Sequence, residues 1–395
     1  MIQSESKSET TLKNKIDFDL FGIVRIRLEN PSVDDIKSMK KQIGFDPVES
    51  NFEPDITIQF TSELSTPGFT FLGLNSAGYT KDDFYLISGE KTYKKIKIPF
   101  EKIGSKITIT CEHGVKSIPL LNHIVNFTFL GKNYLPLHSS AVYINGNGLL
   151  VMGWTKGGKT ETLMSFANHG AHYVGDEWVI LSPNGEFMYG LPVPICIWEW
   201  QFSQIPNLLP KLNAKTKIVF SAVHFLDFVY RFSSRIGLGK VSPVNLLEEA
   251  LPAFKRQLNI RVLPKEIFKD RIKKNGAAID FVLLAVSHDK ENILIEEYDW
   301  AKIVDRMIYS NACEQMPFFE FYNVFKFAFP KKKNEFLENT EQLQHHLLTN
   351  ALSRKKSYQV SHPYPVEFEQ LYNKLYNKIF DSNKYESKFL VNVQD

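Results

Sequence analysis

The amino-acid sequence predicts an α/β (α+β) protein with a mostly β N-terminal region, a strand–loop–helix core and C-terminal helices. Three observations carry this. Short apolar runs bounded by turn residues fill the first third of the chain. In the middle, an apolar strand runs straight into a glycine-rich segment that opens a helix, from about Gly158 to Asn168. Near the end, Phe368, Leu371, Tyr372, Leu375, Tyr376 and Ile379 repeat at spacings of three and four, the signature of one apolar helix face.

Taken in order, residues 1–15 read as a disordered polar tail of Ser, Thr, Lys and Glu. Residues 16–131 read as a β-rich domain, with strands at Gly22–Leu28, Ile56–Phe60, Phe84–Ile87, Lys95–Ile98 and Ile107–Cys111. Residues 132–310 form the core domain. It opens on a strand, Leu137–Ile144, then a tight Asn145-Gly146-Asn147-Gly148 turn, then a second strand, Leu149–Met152. Asn-Gly between apolar runs signals a hairpin. After the helix, Gly170 is a stop, Tyr173–Leu181 a further strand, and Phe281–Val286 and Ile293–Glu296 later strands. Residues 311–395 read as a helical extension, in which His345-His346 sits on a helix and Lys331–Lys333 in a solvated loop.

Composition narrows the function classes. The chain has 395 residues, 43% of them hydrophobic, enough for more than one core at ~150 residues per domain. Its 47 basic and 44 acidic residues leave a net charge of +3, too balanced to argue for nucleic acid or a membrane surface as partner. Three scattered cysteines, Cys111, Cys196 and Cys313, speak against a disulfide framework or zinc site and for a reducing, cytoplasmic setting. Met1 to Lys15 lacks the apolar run of a signal peptide, and no stretch approaches the ~18 apolar residues of a membrane span. The sequence leaves self-association into a homo-oligomer open.

The chemistry centres on Gly153-Trp154-Thr155-Lys156-Gly157-Gly158-Lys159-Thr160, which matches the phosphate-loop (Walker A) pattern G-x-x-x-x-G-K-[ST]. Glycines let backbone amides turn inward around a phosphate, where a Cβ would block approach. The helix that starts here, with Glu161 in its first turn, points the positive end of its dipole at the same anion. Lys159 reaches β- and γ-phosphates, and the Thr160 hydroxyl ligates Mg²⁺. ATP and Mg²⁺ are therefore the expected ligands.

Further on, Asp176-Glu177 interrupts the apolar run Tyr173–Leu181. A carboxylate there can hold Mg²⁺ or take a proton from a nucleophile; otherwise these are solvated acids at an edge turn. His138 either tunes those acids or is a structural histidine. Trp198 and Trp200 alternate as on a strand and read as core or pocket lining. No DxxG follows the loop and the only NKxD precedes it, which removes the GTPases. An LSGGQ-like signature is missing, which removes the ABC-type ATPases, and no Walker B strand is evident.

These segments together resemble the HPr kinase/phosphorylase group, whose core is shared with ATP-dependent phosphoenolpyruvate carboxykinase. The resemblance covers roughly Leu135 to Glu199 and extends faintly to Asp305. It rests on Leu137-His138 before a small-residue strand, the loop with Glu161-Thr162, the acids in Val174-Gly175-Asp176-Glu177, and Gly190-Leu191-Pro192-Val193-Pro194-Ile195. It implies a phosphotransferase in which Asp176 activates an acceptor hydroxyl, Glu177 is a metal-side carboxylate and His138 a neighbour of Asp176. The acceptor would be a protein, a peptide or a small molecule. Two departures stand out: Glu177 replaces the family's usual Asp, and the later glycine-rich stretch associated with dephosphorylation is missing. Arg235 and Arg261 are candidate cations for the transferring group. A non-catalytic nucleotide-binding sensor or scaffold, and an enzyme nearer the carboxykinase branch, are the competing readings.

Overall fold

The structure, a computed structural model, describes residues 14–73, 76–89, 93–205, 208, 212–235 and 242–381. It is α/β: 39% helical and 28% strand, in mixed parallel and antiparallel sheets. Residues 1–13 of the expected tail lie outside the described residues, and the tail's last residue, Lys15, begins the strand Lys15–Leu20 instead.

The N-terminal region forms an eight-stranded sheet. The strands at Ile56–Thr61, Phe84–Ser88, Lys94–Lys97 and Ile107–Glu112 stand close to where the sequence puts them. The region also carries two helices that the β reading omitted. Val33–Ile43 is capped by Ser32 and Asp35 in a reciprocal capping box, and Leu121–Gly131 is almost wholly buried. Its core is not its own: Phe100 stacks on Phe325 and Phe84 meets the same ring edge-on, while Phe127 packs at a tilt on Phe318, both partners coming from the long helix Trp300–Ala328.

The site stands on a six-stranded sheet, in the order His172–Gly175, Ser140–Ile144, Asn147–Met152, Phe281–His288, Lys356–Pro363, Leu294–Glu297. The three central strands, Asn147–Met152, Phe281–His288 and Lys356–Pro363, are parallel. Their side chains explain the unbroken apolar runs. Leu150 and Met152 enter one core while Leu149 and Val151 enter another, so both faces are buried. The hairpin is as expected: Asn145 and Gly146 have φ of 51° and 84°, the left-handed pair a two-residue turn requires.

Three boundaries change. The strand expected at Leu137–Ile144 is two strands, Leu135–His138 and Ser140–Ile144, which belong to different sheets. The one expected at Tyr173–Leu181 likewise divides into His172–Gly175 and Trp178–Leu181. Leu135–His138 and Trp178–Leu181 lie in a four-stranded sheet with Phe187–Gly190 and Ala277–Ala278. The expected domain boundary at residue 310 falls inside the helix Trp300–Ala328, and the segment beyond it is no mere extension. It supplies Lys356–Pro363 to the middle of the six-stranded sheet. A one-chain pattern cannot show this, because the pairing joins strands far apart in sequence.

Candidate functional site

The loop strand Asn147–Met152 ends directly in Gly153, and the loop helix runs from Lys159 to Ala167. The loop therefore lies at the carboxyl end of a central parallel strand, where open α/β sheets bind ligands. Gly158 has φ of 104°, and a Cβ there would overlap His362 Nε2 on the strand Lys356–Pro363, so glycine is required twice over. Lys159 is buried, and its Nζ donates to the carbonyls of Gly153 and Trp154, each at 3.0 Å. Burial lowers its hold on the proton, although Asp176 and Glu314 oppose this. Trp154 is exposed, and Lys156 Nζ lies 5.7 Å from the Trp198 ring centre. Glu161 turns inward and accepts from Gln201 at 2.9 Å; burial pushes its carboxyl up. That contact makes it a brace of the loop helix.

Opposite the loop, the two sheet crossings run side by side. His138 pairs with Trp178 in one sheet, and Ala141 with Gly175 in the other. Asp176 and Glu177 occupy the resulting gap, Glu177 with φ of 68°, a conformation that costs a non-glycine residue ~1–3 kcal/mol. The backbone is tightly crossed below them: a Cβ on Gly175 would stand 2.6 Å from Gly190 Cα. This gives Gly190, at the head of the Gly190–Ile195 run, a packing role.

Asp176 is 2% exposed. Burial pushes its carboxyl up to about 7, with the Glu177 charge adding to the effect and Lys159 and His138 opposing it. Thr160 Oγ1 lies 3.3 Å from each Asp176 oxygen. Glu177 is held down by His138, whose Nε2 is 3.3 Å from its Oε2, and by Arg261 at 3.7 Å. His138 thus contacts Glu177 directly and acts on Asp176 only through space, a refinement of the expected pairing. Its own hold on the proton is raised: burial opposes this, but Glu177 and Glu314 outweigh it.

One residue of the site went unread in the sequence. Glu314, on the helix Trp300–Ala328, accepts the Thr155 hydroxyl at 2.6 Å and lies 2.8 Å from His138 Nδ1. The one available signal was weak: Ser310, Asn311, Glu314 and Gln315 form a polar run on a helix face that is otherwise packed. Arg235 is not brought to the site. It is exposed at the end of the helix Ala214–Arg235, and the residues that follow it, 236–241, lie outside the described residues. Arg261 is close, but its side chain is 61% exposed.

His138, Thr155, Lys156, Gly158, Lys159, Thr160, Glu161, Asp176, Glu177 and Glu314 line one cavity of about 250 Å³, together with Cys196, Trp198 and Tyr364. Across the loop is a second, more apolar cavity of about 430 Å³, bounded by Arg306, Met307 and Tyr309. Among the described residues no three His, Cys, Asp or Glu side chains converge as a self-sufficient metal cage. Thr160 with Asp176 suits Mg²⁺ nonetheless, because that ion takes one or two protein oxygens and completes its shell with phosphate and water. No described helix is long and apolar enough to cross a membrane. No protein-family model matches the chain, and no curated protein matches it.

Proposed function

We propose that this chain is an ATP- and Mg²⁺-dependent phosphotransferase, similar to HPr kinase, that moves the γ-phosphoryl group to a hydroxyl on a protein, peptide or small molecule. One observation carries the reading. A buried carboxyl with proton affinity near neutrality, Asp176, faces the Thr160 hydroxyl at the first turn of a phosphate-loop helix. An acid in that position is matched to take a proton at physiological pH.

The residues divide the work. Loop amides and the helix N-terminus hold the β- and γ-phosphates. Lys159, exchanging its two loop carbonyls for phosphate oxygens, adds positive charge there. Asp176 orients the acceptor hydroxyl and takes its proton as the hydroxyl oxygen bonds to the γ-phosphorus and ADP departs. Mg²⁺ supplies charge neutralisation on the phosphate oxygens, held by Thr160 and Asp176 with Glu177 alongside. Tyr364 and Trp198 line the same cavity and offer aromatic surface to a bound nucleotide or acceptor.

The test uses ATP labelled on the γ-phosphate, purified protein, Mg²⁺ and an extract of the source cells. Label should enter a protein or small-molecule fraction with the wild type, and with neither Lys159→Ala nor Asp176→Asn. A second reading, a nucleotide-binding sensor or scaffold, is favoured by the Lys159 amine being satisfied inside the loop. It predicts that Mg–ATP changes Trp154 fluorescence while no label moves.

A further inference from the structure

The helices Ala214–Arg235 and Ser242–Lys255 form a hairpin, tied by Asp227, which accepts from Arg231 at 2.8 Å and from Lys255 at 2.7 Å. Phe220 and Val223 are buried and seat the first helix on the protein, with the Phe220 ring stacked on Phe202 at 5.9 Å. The opposite face of that helix is bare: Ile218, Phe225, Phe228 and Phe232 are each more than half exposed. Ile218, Phe225 and Phe232 stand seven residues apart with Phe228 between the last two, the spacing of a helix that packs along another helix. This helix therefore has two apolar stripes, and the second has no partner among the described residues. Leu246 on the second helix is likewise 65% exposed. With the phenylalanines bringing ~120 Å² each, the five side chains together present on the order of 500 Å² of apolar surface.

We propose that this face is an interface between two copies of the chain, whose hairpins stack about a two-fold axis as a four-helix bundle, each first helix lying on the second helix of the other copy. Area and charge both select a second copy. Two such faces would remove about 1,000 Å² of apolar surface from water; apolar atoms supply about 60% of a protein interface, so the whole contact would reach ~1,600 Å², the size of a stable one. Charge fixes which helices meet. Asp227 takes Arg231 and Lys255, so among the described residues the charges left over on the first helix are Lys215, Lys217 and Arg235, all basic and exposed. On the second helix they are Glu248 and Glu249, both acidic and exposed. First helix on first helix would set base against base. First on second sets base against acid in both halves at once, the self-complementarity that a two-fold contact requires. The same two acids set the face against an anionic bilayer, which the phenylalanines alone would suit. None of these residues lines the site cavity, so the interface stands independently of the nucleotide site.

The experiment reads the mass of the full-length protein in solution by sedimentation velocity, from about 1 μM to about 100 μM. The wild type should reach twice the chain mass. Phe225→Ser with Phe232→Ser should raise the dissociation constant by about 30-fold or more, since aromatic anchors carry most of an interface's energy and a two-fold contact repeats each change. Far-UV circular dichroism should match the wild type, because both side chains are on the surface of the monomer. Lys217→Glu with Arg235→Glu in one chain, and Glu248→Lys with Glu249→Lys in another, should each weaken self-association by about tenfold. An equal mixture of those two chains should recover it, since opposite charges then meet again. A wild type that stays at the single-chain mass overturns the interface, and its binding to vesicles of anionic lipid would give the face to a membrane instead. A series of masses above twice the chain overturns the two-fold axis. A dimer untouched by Phe225→Ser with Phe232→Ser overturns the surface, and charge reversals without effect overturn the pairing of first helix with second.

Discussion

The two walls of the site cavity are built by different means. One is a run of consecutive residues, Gly153 to Thr160, whose donors are backbone amides. The other is Asp176, Glu177, His138 and Glu314, drawn from two sheet crossings and a distant helix. A backbone cradle needs only local geometry, so it survives as a sequence motif. A wall of charges depends on burial and on partners brought by the fold, so its proton affinities are tertiary properties. On the proposed function, the difference separates what each wall would do: the first would bind the nucleotide, and the second would set the pH at which transfer occurs.

One substitution breaks the first wall alone. Gly158→Ala must place a Cβ at a φ of 104° and into His362. Mg–ATP affinity should fall by ~100-fold or more, and the melting temperature should drop, since strain of this kind costs ~1–3 kcal/mol. Fluorescence titration and a melting curve check this. Retained affinity would show that the loop adjusts, and would remove the contrast.

Next comes the second wall. Asp176→Asn should cut transfer by ~10²–10⁴-fold while leaving nucleotide binding within a few-fold. It should also stabilise the protein at high pH. The Asp176 carboxyl is raised from its usual value near 4 to about 7 in the fold, so the folded state holds a proton the unfolded state has released. Stability therefore falls as pH rises between those values, and the neutral Asn escapes the loss. The variant should melt higher than the wild type at about pH 8, with the gap closing towards pH 4.

A smaller effect needs no variant. The kcat/KM for Mg–ATP, which reports the nucleotide-free protein, should rise with pH through about 7 as Asp176 loses its proton, and a profile flat across that range would deny it the role of base. Smallest of all, Arg261→Ala should change turnover less than about threefold, since its contact with Glu177 is 3.7 Å long and its side chain 61% exposed. A large loss would move Arg261 into the transfer step itself.

What could be read in advance follows the same division. The loop, the hairpin and the helices Lys159–Ala167 and Phe368–Tyr376 are local patterns, and each stands where its period or turn residues put it. The acids were found because charge interrupting an apolar run is conspicuous. The split of Tyr173–Leu181 around them was hidden, because both halves keep strand composition and only the sheet they join differs. Ser139 conceals the other split for the same reason: it is a small residue, fully buried, in a run that reads as continuous. Glu314 was out of reach, since nothing near it in sequence announces a partner as distant as His138. The strand Lys356–Pro363 was lost to the helical pattern around it.

The paired crossings at Ser139 and at Asp176-Glu177 have one more consequence. The two sheets are sewn together where the catalytic groups would act, so the site has no private hinge. A nucleotide held there would touch residues rooted in both sheets, and its binding free energy would oppose their separation. Amide hydrogens in Leu135–His138 and in Phe281–His288, one strand from each sheet, should then slow their exchange with solvent together when Mg–ATP is added, as parts of one cooperative unit.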